Sequence, residues 1–306
     1  MARMAVDVAG IRLKNPVMNA SGTFNIREAD GLIDIKRLGA YIPKSITLHE
    51  RTGNPVPRIC ETSSGMLNSI GLENKGVAAF IDQELPFLAR AGVPVIVSIA
   101  GETIDEFAET VAKLGEAKHA QKTVKAVEIN VSCPNIDRGG VQFGSQPEMA
   151  ALVTAEIKLV SSFPIIVKLT PNTGVFVEAA VAVEEAGADA ISLINTIFGM
   201  SIDIMTRKPK IGRGYGGLSG PAVKPIAVKM VYDVSRAVNI PVIGIGGIMN
   251  AGDAIEFLLA GATAVQVGTA NFVDPGIMMK IISGISDHLE KTGCEDVREI
   301  IGKVEL

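Results

Sequence analysis

The sequence predicts an α/β fold, a (β/α)8 barrel of parallel strands. Three observations point to it. Eight short apolar runs recur along 306 residues, each is bounded by turn residues, and each is followed by a stretch of helical periodicity. The runs are "PVMNA" (16–20), "YIPKS" (41–45), "PVIVSIA" (94–100), "KAVEINV" (125–131), "PIIVKLT" (164–170), "DAISLIN" (189–195), "PVIGIGG" (241–247) and "AVQVGTA" (264–270). They are near-continuous and β-branched rather than alternating, which suits strands covered on both faces. A doubly wound sheet is the competing architecture, but it normally needs fewer strands at this length. One barrel domain is expected over residues 1–306.

The helices between the runs have recognisable ends. "VAAFIDQELPFLARAG" stops at Gly92, a residue that readily takes the left-handed conformation a helix end requires. "TIDEFAETVAKLGEA" opens at Thr103 with Glu106 three residues on, a capping-box pattern. "VFVEAAVAVEEAGAD" and "NAGDAIEFLLAGATA" carry a helical apolar face and end at "AGAD" and "AGAT". Two connections, near 46–74 and 196–219, are too long for simple loops, and that after the fourth run, 132–146, is moderately long. Long connections in compact folds are usually functional or disordered; here they are read as active-site insertions.

Composition narrows the partners. Apolar residues make up 47% and charged residues 20%, a chain with a large core. The net charge of −4 gives no electrostatic case for nucleic acid or an anionic membrane, and with no Trp and three Tyr the chain lacks stacking platforms for single strands. Cys60, Cys133 and Cys294 are scattered, as are His49, His119 and His288, so no structural zinc or iron–sulfur cluster is expected from this chain alone. The opening "MARMAVDVAG" lacks the apolar core of a signal peptide, and no stretch approaches the roughly 20 apolar residues of a membrane span. A reducing, cytoplasmic setting is the simplest expectation.

A barrel builds its site at the carboxyl ends of its strands. Those ends give Ser21 and Gly22, Lys44 and Ser45, Ser98, Asn130 with Cys133, Lys168, Asn195 with Thr196, Gly246–Gly247, and Gly268–Thr269. The last two are the familiar phosphate position, where glycine lets backbone N–H groups approach an anion. "GGLSG" (216–220), read as opening the helix before the seventh run, adds further donors. Tight turns would also explain one glycine pair, but three such segments around one barrel favour phosphate. "GRGYGG" (212–217) formally matches a dinucleotide fingerprint; no strand leads into it, and it is read as loop.

Lys44 and Lys168 end apolar strands. A lysine is rarely buried without a partner, so two at one mouth point to an anionic ligand. A reduced flavin is one candidate, because a fixed cation stabilises charge near N1 and O2. Asn68, Asn74, Asn130 and Asn195 offer paired donors and acceptors to a planar, amide-like ligand. Cys133 follows a strand in "EINVSCPN" (128–135), where Ser132, Pro134 and Asn135 make poor core. A thiolate there serves as nucleophile or as base, and its reference pKa of ~8.5 suits proton abstraction once the site lowers it. Local sequence does not separate those two roles.

"NASGTF" (19–24), "KSIT" (44–47), "SSGMLNSIGLEN" (63–74), "INVSCPN" (129–135), "VKLTPN" (167–172), "LINT" (193–196), "GGLSG" (216–220), "GIGGI" (244–248) and "VGTA" (267–270) together resemble the dihydroorotate dehydrogenases, nearly end to end. "PRICETSSGMLNSIGLEN" and "CPNIDRGGVQFGSQPE" are similar to the class 1B, NAD-linked catalytic subunits. Class 2 enzymes use serine as the base and carry an amphipathic N-terminal extension, neither of which matches.

The resemblance implies FMN over the barrel mouth. Its phosphate would lie on Gly246, Gly247, Gly268 and Thr269 with Gly220 nearby. Ser21, Lys44, Ser45, Ser98, Asn130, Lys168 and Ile194 would line its ring and ribityl chain. Dihydroorotate would be held by Lys44, Asn68, Ser69, Ile70, Gly71, Leu72, Asn130, Asn195 and Thr196. Cys133 would remove the C5 proton while C6 delivers hydride to flavin N5. Position 98 is Ser where the family commonly has Asn, a shorter side chain that a water can supplement. Glu73 is expected to point away from the substrate's carboxylate. The resemblance also implies homodimers of catalytic subunits in a heterotetramer, with electrons passed to a partner subunit carrying FAD and a [2Fe–2S] cluster and then to NAD+. Three rival readings remain: the same half-reaction with fumarate as acceptor, a related flavin barrel acting on another dihydropyrimidine, and a flavin-free phosphate-sugar barrel.

Overall fold

The computed structural model describes residues 2–29, 31, 33–132, 134–135 and 141–305. Seven parallel strands form one curled sheet. Their order is Val17–Asn19, Ala264–Val267, Val242–Ile245, Ala190–Leu193, Ile165–Lys168, Val124–Asn130 and Val95–Ile99. Six lie within the predicted runs, and the seventh, Val124–Asn130, begins one residue before its run, 125–131. Their residues are almost wholly buried, because helices cover the outer face and side chains fill the interior. Each buried Val, Ile or Leu contributes roughly 1.5–3 kcal/mol.

The remaining run, 41–45, closes the ring without a continuous ladder. Pro43 has no N–H to give to one. Residues 40–46 instead bridge both edge strands at isolated points: Ala40 to Met18, Tyr41 to Val95 and Ile46 to Ile99. Ile96 N–H donates to the Tyr41 carbonyl at 3.0 Å and Ile46 N–H to the Ser98 carbonyl at 2.9 Å. On the other side a side chain substitutes for backbone. Fully buried Asn19 donates to the Ile42 carbonyl at 2.6 Å and accepts from the Ile42 N–H at 2.9 Å.

The helices keep most of their expected ends. Gly92, Gly187 and Gly261 have φ of 72°, 97° and 118°, a left-handed conformation at each stop. Two details differ. The helix leading to Gly92 runs as Gly76–Ala79 and Leu85–Ala91, joined by a wider π turn at Phe80–Glu84. Pro86, lacking an N–H, sits in the first turn after it. At Thr103 the hydroxyl accepts from Glu106 N–H at 3.2 Å, but Glu106 reaches back to Glu102 N–H rather than to Thr103. The capping box is therefore shifted by one residue.

The long connections fold onto each other. Ile59–Thr62 and Gly65–Asn68 from the first, and Ile197–Gly199 and Gly216–Ser219 from the second, form a four-stranded antiparallel sheet. Gly217 pairs with Asn68 and with Phe198. "GGLSG" is thus mainly a strand; a 3-10 turn, Pro221–Val223, precedes the helix Lys224–Ala237. "GRGYGG" ends in that strand and opens no helix. In the third insertion, residues 134–135 pair antiparallel with 141–142.

Candidate active site

The strand ends place a set of amides and charges side by side. Register puts Lys168 next to Asn130 on one neighbour and Ser192 on the other. Asn130 is 9% exposed, and its Oδ1 accepts from Ser132 N–H at 3.2 Å and from Asn195 Nδ2 at 3.1 Å. Asn195 Oδ1 accepts from Thr196 N–H at 2.8 Å. These bonds fix how each amide faces, so the Asn130 Nδ2 donors are directed away from the shared contact. Lys168 is buried, with its ammonium 3.7 Å from a Glu128 carboxylate oxygen. Glu128 carries no signal in the sequence, because its strand is largely apolar and only the contact with Lys168 reveals it.

On the side of the ring closure, three hydroxyls form a chain. Ser21 Oγ lies 3.3 Å from Ser45 Oγ, which lies 2.9 Å from Ser98 Oγ. Ser98 is fully buried beneath Ser45. Lys44 runs across Gly22: a Cβ at Gly22 would come within 2.8 Å of the lysine Cδ and 3.2 Å of its Nζ. Glycine is required there by this close approach as well as by its φ of 73°. A cavity of about 740 Å³ opens beside this point, lined by Gly22, Phe24, Tyr41, Lys44, Asn271 and Phe272. Burial pushes the Tyr41 phenol up to about 12, so it is a neutral donor, bonded to the Phe24 carbonyl at 3.3 Å. Of the residues predicted to line the ring, the cavity takes in Lys44.

At the next strand ends the chain makes a glycine cradle. Gly220, Gly246 and Gly247 have φ of 97°, 136° and 70°. A Cβ on Gly247 would lie 2.7 Å from the Gly220 carbonyl oxygen, and one on Gly220 would lie 3.6 Å from Thr269 Cγ2. Thr269 donates to Ser219 Oγ at 2.8 Å. The three predicted segments therefore do converge, and Gly268 belongs to the same corner by sequence. Ile194 is buried against it, and its N–H donates to the Ile245 carbonyl at 2.9 Å. Lys224, behind the cradle, donates to Asp253 and Glu256 at 2.7 and 2.8 Å. The bond to Asp253, then that to Glu256, raises its pKa.

The stretch Asn68–Leu72 leaves the strand that pairs with Gly216–Ser219. Asn68 Nδ2 donates to the Gly217 carbonyl at 3.3 Å. Gly71 and Leu72 both have positive φ, 75° and 57°. Asn54 holds the turn, donating to Ser69 Oγ at 2.8 Å while its N–H donates to the Ile70 carbonyl at 3.0 Å. Glu73 is ion-paired with Arg58 and half-exposed. Asn74, expected to face a ligand, is spent on its own loop. It accepts from Thr47 and Gly76 N–H groups and donates to Thr47 Oγ1 and the Leu72 carbonyl. Asn172, not singled out in advance, ties the strand ends to the second insertion. It donates to the Thr196 carbonyl at 3.0 Å and accepts from Phe198 N–H at 2.9 Å. Thr196 packs on Gly217, and its Oγ1 leaves no room for a Cβ there. Cys133 lies outside the described residues; its neighbour Ser132 is buried, with no hydrogen-bond partner on Oγ among the described residues.

Polar groups buried at strand ends, beneath insertions that cover them, define an α/β-barrel enzyme. A family model described as dihydroorotate dehydrogenase matches residues 3–289. Three curated relatives are each called dihydroorotate dehydrogenase B (NAD(+)), catalytic subunit. That of Geotalea daltonii is 50% identical over 304 residues, covering 99% of this chain and 98% of its own. Those of Caldicellulosiruptor saccharolyticus and Thermoanaerobacter sp. strain X514 are 51% and 52% identical, each covering 99% of both chains. The chain belongs to the dihydroorotate dehydrogenase family.

Proposed function

We propose that this chain oxidises (S)-dihydroorotate to orotate in pyrimidine (UMP) synthesis, using FMN, and sends the electrons through a partner subunit to NAD+. The observation that carries the reading is the convergence of Lys168, Asn130 and Asn195 with the Gly220–Gly247 cradle at one barrel mouth, in a chain of this family. The cradle suits a phosphate, because its glycines leave space that any Cβ would fill. Lys168 suits an electron-rich ring edge, and the Ser21–Ser45 hydroxyls suit a polyol. The residues therefore fit FMN, which supplies a two-electron acceptor when bound.

The chain's own groups account for the remaining chemistry. Lys44 offers a cation to the substrate carboxylate. Asn68, Asn130, Asn195 and Thr196 orient the planar ring, and the backbone of Ser69 to Leu72 closes over it. Cys133 takes the C5 proton on Sγ, as a general base and without a covalent adduct. Residues 46–74, 132–146 and 196–219 exclude water as insertions on one barrel domain. Ser98 acts through Ser45 rather than by touching the ring.

The partner supplies FAD and a [2Fe–2S] cluster, and two catalytic chains pair within a heterotetramer. Support for a partner is the "catalytic subunit" in the relatives' names; their NAD(+) designation favours this acceptor over fumarate. A cytoplasmic setting belongs to the same proposal, with Cys60 and Cys294 as free thiols. Among the described residues, no helix is long and apolar enough to cross a membrane.

The test is anaerobic mixing of the FMN-loaded chain with dihydroorotate while the flavin absorbance is followed. Bleaching, lost in Cys133→Ala at neutral pH, is the expected result. A flavin that stays oxidised overturns the substrate, and a chain that takes up no FMN overturns the cofactor.

A further inference from the structure

The barrel interior holds a carboxylate that the proposed function leaves unused. Glu128 has no solvent exposure. Its Oε2 accepts from Gln266 Nε2 at 2.6 Å and from Ser192 Oγ at 3.0 Å. The Gln266 strand lies four positions from the Glu128 strand in ring order, so this contact crosses the barrel. Among the described residues Oε1 has no hydrogen-bond partner, and it faces Lys168 Nζ at 3.7 Å.

A buried carboxylate is a poor choice for stability alone. Removing an ion from water costs several kcal/mol, and an amide or apolar residue of similar size would fill the position more cheaply. The counter-charge within reach, among the described residues, is Lys168. Lys44 is the other ionisable group at the described strand ends; Asn130, Ser192, Ser98 and Gln266 around the pair carry no charge.

We propose that Glu128 is a positioning residue for Lys168: fixed from below by Ser192 and Gln266, it keeps the ammonium charged and aimed at the mouth, where that charge governs how readily the bound ring is reduced. This rests on the FMN reading above. Without Glu128, a buried lysine loses its counter-ion and desolvation drives it toward the neutral form.

Glu128→Gln keeps the volume and leaves an acceptor for Ser192 and Gln266. The midpoint potential of the FMN-loaded protein, measured against a reference dye from about pH 6 to 9, reads the lysine's charge. Wild type is expected to follow the flavin's own pH slope. E128Q is expected to show an added break, its reduced-to-oxidised ratio falling an extra ~10-fold or more as Lys168 discharges. Lys168→Met removes the break, and adding E128Q to it changes nothing more. An E128Q curve parallel to wild type overturns the inference, as does an equal effect of E128Q in the K168M background.

Thermal melting of the FMN-free chain tests the pair independently. E128Q is expected to lower Tm, and the double variant E128Q/K168M to recover part of the loss, because it no longer buries an unpaired charge. Additive losses overturn the inference. Should E128Q not fold, Glu128→Asp, with its carboxylate withdrawn, is expected to show the same break in weaker form, and its absence counts against the inference. Failure of the wild-type chain to take up FMN would sink the functional reading instead, while the melting cycle still decides the pair.

Discussion

The floor of the site and the cover above it are built on opposite principles. The floor is made of strand ends, and its polar contacts join residues far apart in sequence: Gln266 to Glu128, Asn195 to Asn130, Ser98 to Ser45. It retains buried groups that have no hydrogen-bond partner among the described residues, Glu128 Oε1 and Ser132 Oγ. The cover is an antiparallel sheet from two insertions, and its key side chains are spent on holding it together. Asn74 binds its own loop, Asn54 the turn at Ser69–Ile70, and Arg58 pairs with Glu73. The barrel thus presents a floor that is formed in advance, while the cover depends on bonds that individual substitutions can remove. Changes to floor chemistry should alter turnover, and changes to the cover should alter binding.

The largest effect is expected at residue 133. Cys133→Ala should slow flavin bleaching by dihydroorotate ~10²–10⁴-fold with FMN content unchanged; stopped-flow absorbance checks it, and a normal rate removes the cysteine as base. Next comes Lys44→Met, which would delete the proposed charge-assisted contact to the substrate, worth roughly 1.5–3 kcal/mol, and should lower kcat/KM by about 10- to 150-fold. In the cover, Gly217→Ala drives a methyl into Thr196. A roughly tenfold rise in KM with little change in kcat is expected, and an equal fall in kcat would move Thr196 to the floor group. Asn74→Ala should cost about 1–3 kcal/mol of local loop stability, seen as faster hydrogen exchange or proteolysis over 69–76 with the barrel strands unaffected.

The smallest effect lies outside both regions. The Arg298 guanidinium, bonded to Asp296, holds that carboxyl well below the usual carboxylate range, against the opposing effect of burial. A depressed folded pKa stabilises fully above the unfolded value of ~3.9 and is lost as pH falls below it. The Tm difference between wild type and Asp296→Asn should therefore shrink as pH drops below about 4. A constant difference would show that packing, not charge, matters there.

Legibility followed the range of the forces involved. The seven ladder strands and the helix stops at Gly92, Gly187 and Gly261 were readable because hydrophobic runs and positive-φ turns are local signals. Residues 41–45 read as an ordinary strand, but Pro43 allows only bridges, and the side chain of Asn19 completes the closure. Asn74 was read as a ligand group because an asparagine looks the same in sequence whether its amide is free or spent. Glu128 went unnoticed for the converse reason: one carboxylate inside an apolar strand has meaning only beside Lys168, Ser192 and Gln266.

By itself the sequence determined the order of strands and helices, the carboxyl-end residues that meet at the mouth, and the family motifs that name the chemistry. These depend on short-range pattern, which a linear chain carries openly. Only the tertiary structure decided that two insertions pair into one cover, that Asn172 joins the cover to the floor, and that a buried carboxylate stands beneath Lys168. Those are contacts between distant segments, created when the ring closes and set by where each side chain then points.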